Sequence, residues 1–144
     1  MISTDNWFFW AMLSAVFAAL TAIFSKVGIQ GVDSDLATLI RTFIIIIVLT
    51  AFIVFNNKWS NPFTLSARTW WFLGLSGIAT GASWVCYFRA LQIGEASKVA
   101  PVDKFSLVLV AIFAVMFLGE RPAIKDWIGI ALVALGVVVL AIKA

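Results

Sequence analysis

The sequence predicts an all-α integral membrane protein with five transmembrane helices. Three observations carry that prediction. Hydrophobic residues make up 63% of the chain and charged residues 12%, against roughly 45–50% and ~25% in an average soluble domain. With a mean hydropathy of +1.08 over 144 residues, the chain has more apolar surface than a small water-soluble domain can hide. The apolar residues also fall into five runs near the ~20 residues that a spanning helix needs. Finally, period-two alternation is missing, which argues against a membrane β-barrel.

The elements follow in order. Residues 7–25 carry no charge, and Lys26 and Gly28 end the run. Residues 36–55 form the second span, with Arg41 as its one charge. Residues 56–68 are a polar connection containing Asn56, Asn57, Asn61 and Pro62. Residues 69–92 form the third span, with Arg89 near its end, and Gly94 and Glu95 make a tight turn. Residues 97–118 form the fourth, holding Asp103 and Lys104, and Gly119, Glu120, Arg121 and Pro122 break the chain again. Residues 124–142 are the fifth; its apolar run starts at Trp127, and Lys125 and Lys143 extend it by snorkelling. Together they make one domain over residues 1–144. Trp7, Trp10, Trp59, Trp70, Trp71 and Trp127 cluster at helix ends, as an interfacial aromatic belt does, whereas Trp84 falls deep in the third span. Asp5 is the only charged side chain before the first run, which lacks the basic flank of a signal peptide and is expected to stay in the protein.

Several functions are excluded by what is missing. The chain has no His, so neither a Ser/His/Asp relay nor a His-based metal site can form. No catalytic constellation is present, and the expectation is a non-enzyme without cofactor or metal. Cys86 is the single cysteine and reads as a small buried hydrophobe. The ten basic residues are spread along the chain as membrane-flanking charges and form no nucleic-acid patch.

Those charges are almost evenly divided. Five spans put Lys58, Arg68, Arg121 and Lys125 on one side, and Lys26, Lys98, Lys143 and Arg89 on the other. The excess that normally fixes orientation is nearly absent, so the chain is expected to insert both ways unless the loop boundaries shift by a residue or two.

Ionisable groups within spans are costly and usually functional. Arg41, Arg89, Asp103 and Lys104 sit at comparable depths on one membrane side. If the fourth helix begins near Ala96, Asp103 lies roughly 10 Å inside it and needs a cation, which Arg89 or Arg41 can supply. If the helix begins at Pro101, Asp103 is a first-turn carboxylate stabilised by the helix dipole. Arg41 and Arg89 also read as snorkelling residues near span ends. On the third helix Ser76, Thr80, Ser83 and Tyr87 recur at three- and four-residue steps, a polar stripe with Trp84 beside it. Such a stripe suits a water-accessible cavity or interhelical hydrogen bonding. Gly77 and Gly81 on the third helix, and Gly129 and Gly136 on the fifth, form small-residue faces for helix contacts. Gly129 and Gly136 are candidate dimer contacts, with intrachain packing as the other reading.

Tyr87-Phe88-Arg89-Ala90-Leu91 with Glu95-Ala96-Ser97, then Phe117-Leu118-Gly119-Glu120-Arg121, Asp126-Trp127-Ile128-Gly129 and Leu135-Gly136-Val137, resemble the EamA repeat of the drug/metabolite transporter superfamily. Lys26 after the first helix is common in that family. The resemblance covers essentially the whole chain and is strongest from Tyr87 to Val139. Familiar members carry two inverted repeats, giving ten helices around a central pathway. The resemblance therefore implies that two copies of this single repeat pair antiparallel. The chain departs from the family where many repeats have a mid-helix proline: Leu107 occupies that place, and the proline lies earlier, at Pro101.

The reading that follows is a secondary transporter of a small metabolite, working by alternating access as a dimer in a bacterial inner membrane. No nucleotide-binding motif is present, so a gradient is the expected energy source. Asp103 is the candidate proton or cation carrier. Arg89, Lys104 and Arg41 are candidates to hold an anionic or zwitterionic substrate, with Trp84, Tyr87 and Ser83 beside its remainder. The expected partners are a second copy of the chain, the bilayer and the small molecule, and no nucleic acid. The alternatives are a non-transporting or lipid-carrier-flipping subunit of a hetero-oligomer, and a dimeric ion channel.

Overall fold

Each of the five apolar runs folds as helix, because in lipid a helix satisfies its own backbone polar groups. A computed structural model describes residues 7–142; Asp5 and Lys143 lie outside the described residues. The helices are α1 (Trp7–Gly28), α2 (Ser34–Phe55), α3 (Ala67–Ile93), α4 (Ala96–Asp103), α5 (Ser106–Phe113) and α6 (Ile124–Ala141). A short 3₁₀ turn, Pro62–Thr64, precedes α3, and a π-type turn, Ala114–Leu118, prolongs α5. Among the described residues there is no strand.

Four segments are long and apolar enough to cross a membrane: Trp7–Gly28, Ser34–Phe55, Ala96–Leu118 and Ile124–Ala141. α3 is the longest helix at 27 residues, but its hydroxyl side chains and glycines leave it less apolar than those four. The multi-pass membrane character thus rests on four apolar segments plus a fifth, more polar helix.

Local chemistry sets the helix ends. α2 starts earlier than the apolar run suggests, because the Asp33 carboxylate accepts from the backbone N–H groups of Asp35 and Leu36, both at 3.0 Å. It ends where Asn57 turns left-handed at φ 52°. There Lys58 N–H bonds the Ile53 carbonyl at 3.0 Å and Asn57 N–H bonds Val54 at 3.1 Å, the paired closure of a Schellman motif. The Ser66 hydroxyl accepts from Thr69 N–H at 3.1 Å and caps α3. Asp126 reaches back to Ala123 N–H at 2.8 Å at the start of α6. Gly119, at φ 67°, lets the chain leave the π-type turn in a conformation that costs other residues about 1–2 kcal/mol.

The fourth predicted helix is real but interrupted. It starts at Ala96, with Glu95 extended ahead of it, so Pro101 lies inside the helix rather than in its first turn. The reading of Asp103 as a first-turn cap is therefore corrected: Asp103 closes α4. Pro101 has no N–H to donate and its ring crowds the preceding turn. Just beyond it the hydrogen bonds tighten to three-residue steps: Lys104 to Pro101 at 3.0 Å, Phe105 to Val102 at 3.0 Å and Leu107 to Lys104 at 2.9 Å.

The chain divides into two compact units. One is Phe24–Ile93, in which α2 packs along α3. Its buried residues are Ser25, Ile29, Ser34, Thr38, Phe88 and Leu91. The Thr38 hydroxyl donates to the Ser34 carbonyl at 2.8 Å and Thr42 does the same to Thr38 at 2.8 Å, so these polar side chains are satisfied within their own helix. In the other unit α6 packs against α4 and α5, and Ala22, Ala114 and Val137 are buried. Most large apolar side chains, including Phe43, Ile47, Leu132 and Val139, remain exposed, as surfaces meant for lipid or other helices are. Cys86 is exposed rather than buried.

Candidate functional site

The site is built where α1 ends, α2 begins and α3 ends. Gln92 Nε2 donates to the Val32 carbonyl at 2.9 Å. Arg89 grips Asp35 with two prongs, Nε to Oδ1 at 3.0 Å and Nη2 to Oδ2 at 2.6 Å. The two contacts tie the start of α2 and the residues just before it to the last turns of α3. Lys26 Nζ donates to the Leu91 carbonyl at 2.5 Å. That carbonyl belongs to the last turn of α3, whose acceptors have no partners within the helix, and a cation there also meets the negative end of the helix dipole.

Six residues beyond Asp35 on α2, about 9 Å along the axis, stands Arg41. Its guanidinium carbon lies 4.5 Å from the centre of the Trp84 ring and 5.3 Å from that of Phe88, distances at which the π faces attract a cation. The guanidinium is therefore held against α3 by these two rings. Tyr87 meets Phe88 edge-on at 6.4 Å between ring centres.

The sequence-predicted residues fall into groups. Arg41, Trp84 and Tyr87 come together around Phe88, with Ser83 exposed on the same helix. Thr80, in the same stripe, donates its hydroxyl to the Ser76 carbonyl at 2.8 Å, so it serves its own helix. In the other unit Asp103 pairs with its neighbour Lys104 at 3.4 Å. The expectation that Arg89 is free to neutralise Asp103 is corrected, because Asp35 occupies Arg89. A Cβ added to Gly129 or Gly136 would meet nothing within 4 Å, so within the described residues these positions have no close helix neighbour.

Asp35 and Phe88 are residues that sequence reasoning missed. The apolar run starts at Leu36, which left Asp35 in the loop. The available signal was positional: Asp35 opens the second helix on the membrane side where Arg89 closes the third.

Helices of this apolarity, with charged side chains gathered at and inside their ends, define a multi-pass α-helical membrane protein. The chain belongs to the EamA-like transporter family, which it matches over residues 5–142. It is 53% identical over 139 residues to an uncharacterized transporter in the cobO 3'region of Sinorhizobium sp., covering 96% of this chain and 99% of that protein. It is also 28% identical over 68 residues to a probable 4-amino-4-deoxy-L-arabinose-phosphoundecaprenol flippase subunit ArnE of Yersinia pestis (strain Pestoides F). That match covers 47% of this chain and 60% of the flippase subunit. No solved structure matches.

Proposed function

We propose that the protein is a secondary transporter of a small metabolite in a bacterial inner membrane, working by alternating access between two antiparallel copies. The observation that carries the reading is family membership over residues 5–142 as one repeat. All five helices cross the bilayer in this reading; α3, at 27 residues, measures about 40 Å against a hydrocarbon core of ~30 Å. The open positions at Gly129 and Gly136 and the wide apolar surface support a second copy as neighbour. The site lies around Arg41, Trp84, Tyr87 and Ser83. Asp103, beside Lys104 at the break between α4 and α5, is the candidate coupling group, since broken helices in transporters expose backbone and side chains to the transported species.

The test is reconstitution. Metabolites that raise the melting temperature of the purified protein are assayed for uptake into proteoliposomes under an imposed pH gradient. Gradient-driven flux of a hit, with the gradient dependence lost in Asp103→Asn, is the expected outcome. Flux that responds to the gradient equally in Asp103→Asn removes Asp103 from the coupling role.

A second reading is a subunit that flips a lipid-linked sugar. The partial similarity to a probable flippase subunit favours it. Translocation of a polyprenyl-phosphate lipid only in the presence of a second, different chain would select it.

A further inference from the structure

Arg41 differs from Lys26, Arg89 and Lys104; Arg68 also faces a ring, that of Phe72 at 5.9 Å, but in the first turn of α3. Lys26 is spent on the Leu91 carbonyl, Arg89 on Asp35 and Lys104 on Asp103. Arg41 lies on the faces of Trp84 and Phe88 and within electrostatic reach of Tyr87, and among the described residues no carboxylate or carbonyl is bonded to its N–H groups. A guanidinium stays charged at any working pH and carries five donors in a fixed fork. Its backbone stands about 9 Å further along the helix than that of Asp35, whose ion pair is already satisfied, within a span where an uncompensated charge is expensive. The two rings fix its position without using its donors, which leaves the fork free for a planar or tetrahedral anion.

We infer that Arg41, steadied by Trp84 and Phe88, is the binding point for an oxyanion, the carboxylate or phosphate of a molecule whose apolar part rests against the same aromatic side chains. This rests on the transporter reading for its physiological meaning, but its test does not. The Asp35–Arg89 pair acts as a structural clamp, so the one guanidinium left beside Trp84 and Phe88 selects ligands with one anionic group.

The test is binding without any gradient. Trp84 is made the only indole by replacing the other six tryptophans with Phe, and the protein is placed in phosphatidylcholine nanodiscs. Its emission is titrated with phenyl phosphate and benzoate, and with benzamide as a neutral control. A saturable change with either anion and none with benzamide is expected. Arg41→Gln should weaken anion binding about 10- to 100-fold, as loss of charge-assisted hydrogen bonds does. Arg41→Lys, which keeps charge but not the fork, should fall between. As a check independent of the tryptophan replacements, phenyl phosphate should raise the melting temperature of the otherwise unaltered protein and not that of Arg41→Gln. A second arm replaces the lipid with phosphatidylglycerol. An Arg41-dependent emission shift there without added solute assigns the oxyanion to a lipid headgroup, and a response in phosphatidylcholine assigns it to a soluble anion; either upholds the site. No anion response in both measurements, or an equal one in Arg41→Gln, overturns it. Such a failure leaves gradient-driven flux untouched, whereas intact binding without flux keeps the site and removes the transporter reading.

Discussion

Arg89 and Asp35 stand 54 residues apart in the chain and are joined by two hydrogen bonds of 3.0 and 2.6 Å. The planar fork of the guanidinium matches the two carboxylate oxygens, which fixes orientation as well as distance. Together with the Gln92 contact to the Val32 carbonyl, the pair sets which turn of α3 lies beside which turn of α2. It therefore fixes where Arg41 meets Trp84 and Phe88.

The first prediction concerns that register. Asp35→Asn or Arg89→Gln should lower the melting temperature in detergent and disturb the Arg41 site, although neither residue touches it. Arg89→Lys should not restore the loss fully, because a point charge cannot make the two-pronged contact. The charge-swapped double variant, Asp35→Arg with Arg89→Asp, should recover most of the stability lost by either single change. Equal melting temperatures for the wild type and both single variants would mean that the pair contributes nothing to the register.

The second concerns the break between α4 and α5. A proline inside a helix costs roughly 3 kcal/mol relative to alanine, so Pro101→Ala should raise stability and let four-residue hydrogen bonding run through Lys104 and Phe105. Slower amide exchange at Lys104–Leu107 would report the repaired helix. Substrate flux should fall in the same variant if the break takes part in transport. Unchanged exchange would show that Pro101 is not the cause of the interruption.

The third concerns orientation. If five spans divide the basic residues four against four, as the sequence reading expects, added charge should decide insertion. Two variants are made, each with two extra lysines on opposite sides. Each alone should insert in one direction and transport poorly, and co-expression should restore activity. Single cysteines placed in the connection between α2 and α3, in a Cys86→Ala background, should label from both sides of the membrane in the otherwise unmodified protein. Labelling from one side only would rule out dual insertion and require a distinct partner or a parallel pair.

The sequence by itself determined the helices and the medium they live in. A membrane helix makes its backbone hydrogen bonds within itself, so its existence depends on local composition, and the runs around Phe43, Leu109 and Leu132 could be read one at a time. The caps at Asp33, Ser66 and Asp126 are equally local. The family, too, was legible from short motifs such as Leu118-Gly119-Glu120-Arg121, because turn chemistry and helix starts are written in adjacent residues. Tertiary structure alone decided which charges meet. Arg41, Arg89, Lys104 and Asp103 could all be given a depth from their positions in the chain, but depth does not say which way a side chain faces around its helix. That direction comes from how α2 and α3 pack. It gives Arg89 to Asp35 and lays Arg41 on Trp84 and Phe88, while the end of α1 brings Lys26 to the last turn of α3.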